Sequence, residues 1–306
     1  MQDDPSREAD EMAKDFTQLV DDLAYAKTFY RTSKVTQFLN SQASRIYLDI
    51  YRNRREDSNR LVKYWKYDLP MVIRRHHRVI LFAFIVFCIF FAVGFFSSSR
   101  DESFVREVLG DQYVNMTERN IENGNPFGVY KSGNSFWMWM WIMINNIRVS
   151  MIYFVEGILA GFFSIKEMIK EAISLGAFEQ YFFGKGVGLK SVLTVSIHGV
   201  LEIFSIIVSS AAGVVMGTSY LFPGTITRWQ AFKNGTKDGV KIVTGLIPFF
   251  IIAAFFESFV TRHSEMPQWL SGLILLASLS FIVWYFVIYP IRVQRKLVTS
   301  PNKTEE

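Results

Sequence analysis

Five ionisable side chains, Arg148, Glu156, His198, Glu202 and Glu257, stand inside or at the edge of long apolar stretches of a 306-residue chain. A charged group at membrane depth is costly unless it is paired or reached by water, so each is a candidate for chemistry. At 100° per residue Asn145, Arg148 and Glu156 fall within one broad helical face, with Asn146 beside them. His198 and Glu202 are four residues apart, and Ser205 and Ser209 continue their stripe. These two faces are expected to meet, with Arg148 neutralised by Glu202 or Glu156 and with Asn145 and Asn146 satisfying backbone or carboxylate groups. Such a seam either glues helices together or lines a translocation path or partner-gated switch. Glu257 lies close to Arg262 and His263 in sequence, which predicts an interfacial ion pair there.

Other chemistries fail on their spacing. Residues 184–191, Gly-Lys-Gly-Val-Gly-Leu-Lys-Ser, nearly form a phosphate-binding loop, but Leu189 occupies the place of the glycine that precedes the lysine, and no strand leads into it. His198-Gly-Val-Leu-Glu202 offers one histidine where a zinc-protease helix needs two, and no Gly-x-Ser-x-Gly elbow occurs. The single cysteine, Cys88, excludes an internal disulfide and a thiolate zinc cluster, and of the four histidines His76 and His77 are adjacent in a basic stretch, which leaves too few for a three-histidine catalytic metal site. No catalytic residue, cofactor or metal site is therefore expected. A net charge of +5 does not suggest nucleic acid.

The elements that must position these residues follow from composition. Half the residues are hydrophobic, 29 are Phe, and mean hydropathy is +0.18 despite 20% charged residues. Charge concentrates in residues 1–78 and after Pro290. The expected fold is all-α: a polytopic helical membrane protein with an N-terminal cytoplasmic helical hairpin. Residues 1–78 form the head, residues 79–290 the membrane bundle and residues 291–306 a cytoplasmic tail. Residues 1–16 carry no short apolar core behind a basic start, so the head is expected to stay cytoplasmic. Apolar positions from Phe16 to Ile50 recur at three- and four-residue steps, which predicts two amphipathic helices joined near Arg31-Thr32-Ser33, with Thr or Ser there as the cap of the second helix.

Strong spans are predicted at residues 79–96, 136–163, 191–217, 241–260 and 268–289, each long enough for a hydrocarbon layer of about 30 Å. Five crossings would expose the basic residues Arg228, Lys233, Lys237, Arg292, Arg295 and Lys296 on the outer side, against the positive-inside rule. A sixth, degenerate crossing at residues 164–187 returns them to the cytoplasm. Its Lys166, Glu167, Lys170, Glu171 and Glu179 leave a surface-lying amphipathic helix as the alternative. Residues 97–135 are then an acidic external loop. Phe136-Trp-Met-Trp-Met-Trp141 suits the outer headgroup zone. Arg74, Arg75 and Arg78, directly before the first span, are expected at anionic lipid headgroups. Gly157-x-x-x-Gly161 and Gly213-x-x-x-Gly217 predict close helix packing, and Pro248 predicts a kink.

The segments Asn145-Asn-Ile-Arg148, Gly157-Ile-Leu-Ala-Gly161, His198-Gly-Val-Leu-Glu202, Gly213 to Gly217 and Glu257-Ser-Phe-Val resemble those of the stage II sporulation protein M family. The resemblance extends over about residues 10–292 and includes Tyr30-Arg31 and Leu39 in the head. It departs at residues 166–171, where relatives are usually apolar, and at Ser258, where the family often has Gly. Membership implies a polytopic protein of the bacterial inner membrane that is not an enzyme. It implies a scaffold that recruits or anchors envelope-associated proteins, with peptidoglycan-modifying proteins or a MoxR-type ATPase as partners alongside membrane lipids, and homo-oligomerisation as a further expectation. The alternative function is a transporter, channel or lipid-moving protein with a polar intramembrane path.

Overall fold

The computed structural model describes residues 5–52, 60–124, 134–261 and 266–299, and all of its regular elements are helical. The chain divides after Val62 into two units. In the first, α1 (Pro5–Phe29) and α2 (Lys34–Arg52) flank a short turn. Ser33 precedes α2 as predicted for a cap, accepting from the Thr36 amide at 3.1 Å, and the Thr36 hydroxyl donates to the Tyr30 carbonyl at 2.6 Å. Ala26, Thr36 and Ala43 are buried, but Tyr25, Phe29, Tyr30, Val35 and Phe38 are each at least 60% exposed.

The second unit starts at Lys63 rather than at residue 79. α3 (Arg60–Lys63) runs through a π-helical turn, Tyr64–Asp68, into α4 (Leu69–Ser98). Leu69, Val72 and Ile73 are almost wholly buried in the main core, so the start of α4 packs as part of the bundle. The Tyr64 hydroxyl donates to the Lys241 carbonyl, and Tyr285 and Tyr289 donate to the Trp65 and Lys66 carbonyls at 2.8 and 3.1 Å. α4 departs from helical geometry at His76 (φ −105°, ψ 15°), whose Nε2 lies 2.9 Å from Asp238 Oδ2.

The described part of the predicted external loop includes α5 (Glu102–Leu109) and α6 (Asp111–Glu122). Val105 and Val114 pack on Tyr181 and Phe182, which belong to the helix at Phe162–Gly184, α8. Asp101 caps α5 by accepting from the Ser103 amide at 2.8 Å. Arg106 reaches Asp111 and Glu118 at 3.2 and 3.4 Å, and Lys185 reaches Glu118 at 3.0 Å. The glycine- and proline-rich end of this loop, residues 125–133, lies outside the described residues.

The bundle is completed by α7 (Ser135–Glu156), α8, α9 (Gly188–Leu221), α10 (Arg228–Phe255), α11 (Gln268–Val283) and α12 (Tyr289–Thr299). A π-helical turn, Phe256–Thr261, extends α10, and another, Trp284–Ile288, joins α11 to α12. α9 and α10 carry most of the main core, and α10 continues as helix through Pro248. Four helical runs among the described residues are long and apolar enough to cross a membrane: Arg60–Ser98, Gly188–Leu221, Arg228–Thr261 and Gln268–Thr299. α7 is not among them, although the sequence counts it as a strong span, because its tryptophans, two asparagines and Arg148 offset its aliphatic residues. α8 is packed into the bundle: Met168, Ala172, Gly176 and Ala177 are buried, and it runs alongside α4 from Ala83 and Phe87 to Phe91 and Gly94.

Glycines set the closest approaches. Gly157 to Gly161 do not form a packing face of one helix; they make the turn from α7 into α8, with positive φ at Ala160 (57°) and Gly161 (79°). That turn sits on α9, where a Cβ at Gly217 would strike the Gly157 carbonyl and the Gly161 amide. A Cβ at Gly213 would strike Ser164 Oγ, which donates to the Tyr153 carbonyl.

Candidate functional site

α4, α7, α8, α9, the π-helical turn after α10 and the α11–α12 segment converge on one cavity of about 1050 Å³. Most of its wall is apolar, from Ile80, Phe84 and Phe87 on one side to Ile282, Phe286 and Val287 on the other. Its polar groups are concentrated. Asn145 and Asn146 come from α7, His198 and Glu202 from α9, and Glu257 from the π-helical turn. Glu171 and Glu179 enter from α8, and Arg74 and His77 from α4.

Local structure explains this convergence. On α9 the four-residue spacing of His198 and Glu202 is one helical turn and puts both on the cavity side. Glu171, Leu175 and Glu179 recur at the same step on α8, and all three line the cavity. Glu257 is the second residue of the π-helical turn, whose widened backbone directs it at α9. One ligand atom from each of His198, Glu202 and Glu257 lies within 4.8 Å of the others. His198 is 5% exposed, and its Nδ1 sits 3.1 Å from the Oγ1 of buried Thr261. No ion pair links Glu202 or Glu257 to a lysine or arginine among the described residues.

The residues singled out in the sequence divide into three groups. Asn145, Asn146, His198, Glu202 and Glu257 share the cavity. Glu257 turns towards His198 and Glu202, while the expected partners Arg262 and His263 lie outside the described residues. Arg148 is exposed on α7 and forms no ion pair with Glu202 or Glu156, so the expected neutralisation does not occur. Glu156 lies near the far end of α7, and its Oε2 is buried without a hydrogen-bond partner. Helix phase accounts for the separation, since an eight-residue step permits a shared face but does not decide which side of that face turns inward.

The headgroup candidates also divide. Arg75 pairs with Asp238 at 2.8 Å and Arg74 Nε donates to Gln294 Oε1 at 2.7 Å, so both have protein partners, whereas Arg78 is exposed. Sequence reasoning missed Glu171 and Glu179, taking them as a cost to a degenerate span. Their eight-residue spacing is the signal that could have found them, because it repeats the i, i+4, i+8 face. Lys166 and Lys170 pair with Glu167 at 2.8 and 2.9 Å, away from that face.

Such a site can hold the polar end of a guest whose apolar body fills the remaining volume, or a cation between the two carboxylates of α9 and the π-helical turn. Residues 83–262 match the family model described as Stage II sporulation protein M, and residues 2–52 match one described as Domain of unknown function (DUF8413). No curated protein and no solved structure matches the chain.

Proposed function

From the premise that the chain belongs to the stage II sporulation protein M family, we propose that it is a non-enzymatic scaffold of the bacterial inner membrane that holds envelope-associated proteins. The observation that carries this reading is the face of the head. Tyr25, Phe29, Tyr30, Val35 and Phe38 are 60 to 65% exposed on a unit that is separate from the membrane bundle. The rings of Tyr25, Phe29 and Tyr30 cluster, with centroids 4.6 and 6.5 Å from that of Tyr25, and exposed aromatic clusters mark protein interfaces. A peptidoglycan-modifying protein or a MoxR-type ATPase fits the family, and self-association is an alternative occupant of the same face.

The topology that goes with this role has six crossings and both termini in the cytoplasm. Its support is the course of α8. A helix that runs beside α4 from Ala83 to Gly94 traverses the same depth as α4, and the basic segments at 228–237 and 292–296 then fall on the inner side. The test is in-cell crosslinking followed by mild-detergent purification of the tagged full chain, compared with Phe29→Ser/Phe38→Ser. Recovery of one stoichiometric envelope protein or ATPase with the parent, lost from the variant, is the expected result. Recovery of the parent alone, or equal recovery from both, overturns it.

A second reading, transport or lipid movement, is favoured by the cavity, which is larger than helix packing requires and mixes acidic groups with a long apolar wall. Stoichiometric co-purification of a lipid or lipid-linked sugar, reduced by substitutions at Glu202 and Glu257, is its signature.

A further inference from the structure

We propose that His198, Glu202 and Glu257 bind one divalent first-row transition cation, Zn²⁺ or Mn²⁺, at the cavity wall. The three donors come from two elements and lie within 4.8 Å of one another. Donors around one tetrahedral ion with bonds of about 2.1 Å lie about 3.4 Å apart, a closure that side-chain rotation supplies. One imidazole with two carboxylates is a mixed nitrogen and oxygen set, suited to zinc or manganese over the oxygen-only preference of magnesium and calcium. A count of histidines that argues against a three-histidine centre does not bear on this set.

Independent features of the surroundings point the same way. Asn146 is 8% exposed and lines the cavity, and its buried Nδ2 is directed at the Glu202 carboxylate without closing a full hydrogen bond. Turned through 180°, its amide presents a carbonyl oxygen, a further neutral donor for a cation. Thr261 holds the His198 ring at 3.1 Å, the outer-shell contact that orients metal-ligating imidazoles. Two carboxylates drawn together in apolar surroundings repel, and a divalent ion between them removes that repulsion. Three protein donors leave a coordination position open for a guest oxygen.

The full-length chain, purified in mild detergent and stripped with a chelator, is dialysed against Zn²⁺ and its bound metal counted by mass spectrometry. Mn²⁺ binding is followed separately by electron paramagnetic resonance. About one equivalent per chain is expected, with Glu202→Gln/Glu257→Gln losing it and Thr261→Val binding about tenfold more weakly. The glutamine pair keeps size and removes charge, and its melting without metal reports whether it folds. If it does not fold, Thr261→Val and His198→Gln carry the test. Absence of stoichiometric metal from the parent overturns the site, as does undiminished affinity in folded variants. These outcomes do not depend on whether the head recruits a partner.

Discussion

Ser150 Oγ on α7 and Ser209 Oγ on α9 lie 2.6 Å apart, and both side chains are sealed inside the bundle. Each hydroxyl satisfies the other where no water competes. Ser150→Ala therefore leaves Ser209 unsatisfied and costs about 1 to 2 kcal/mol, while the double alanine variant costs no more than the single one. Thermal unfolding in detergent checks this, and additive losses would show that the two serines act separately.

Gly217 meets the Gly157 to Gly161 turn backbone to backbone. Because carbonyl and amide atoms cannot rotate away as a side chain does, Gly217→Ala should destabilise by about 1 to 3 kcal/mol. Gly272→Ala is the control, since nothing surrounds that position on α11, and there alanine should stabilise by about 0.5 to 1 kcal/mol. Melting temperatures that shift alike in the two variants would contradict this packing.

The α5–α6 cap depends on pH through Glu118. The hydrogen bond from Lys185, then the nearby charges of Lys185 and Arg106, hold its carboxyl below the usual glutamate range. A depressed folded value means that the contribution is complete above the unfolded value, about 4.3, and is lost as pH falls through the lower folded one. Amide exchange in α6 should therefore accelerate below about pH 4, and Glu118→Gln should remove that Glu118-dependent step. Asp101, held low by its hydrogen bonds from Ser103, adds to the same trend and remains in the variant.

The turn that ends α8 tests the crossing count. Lys185→Cys in a Cys88→Ala background introduces a single thiol there, which should react with a membrane-impermeant reagent from the outer side of intact cells, while a reporter after residue 296 should read as cytoplasmic. A thiol at that position that stays unreactive, together with an outward C-terminal reporter, would restore five crossings.

Membership of the family, helical class and membrane residence were legible in the sequence, because long apolar runs with sparse charge have few other uses and the short motifs lie far apart along the chain. So was the cap of α2, where Ser33 stands directly before the helix and the hydrogen bond is local. The His198 and Glu202 pair was visible for the same reason, as one turn of a single helix. What lay beyond was whatever depended on helix rotation. The eight-residue step to Glu156 and the three-residue step to Arg148 were compatible with a shared seam, but packing turned Arg148 outward and put Glu171 and Glu179 inward instead. The approach of Glu257 to His198 and Glu202 was not legible either, since nothing in the residue order announces the π-helical turn that carries it.

The sequence alone determined which segments are apolar and which residues could do chemistry, because hydropathy and side-chain type are properties of single residues and short windows. Only the tertiary structure decided which of those residues share the 1050 Å³ cavity, and that the Gly157 to Gly161 stretch is a turn clasped by α9. Both outcomes depend on backbone dihedrals and on contacts between residues far apart along the chain, as between Asn146, Glu202 and Glu257.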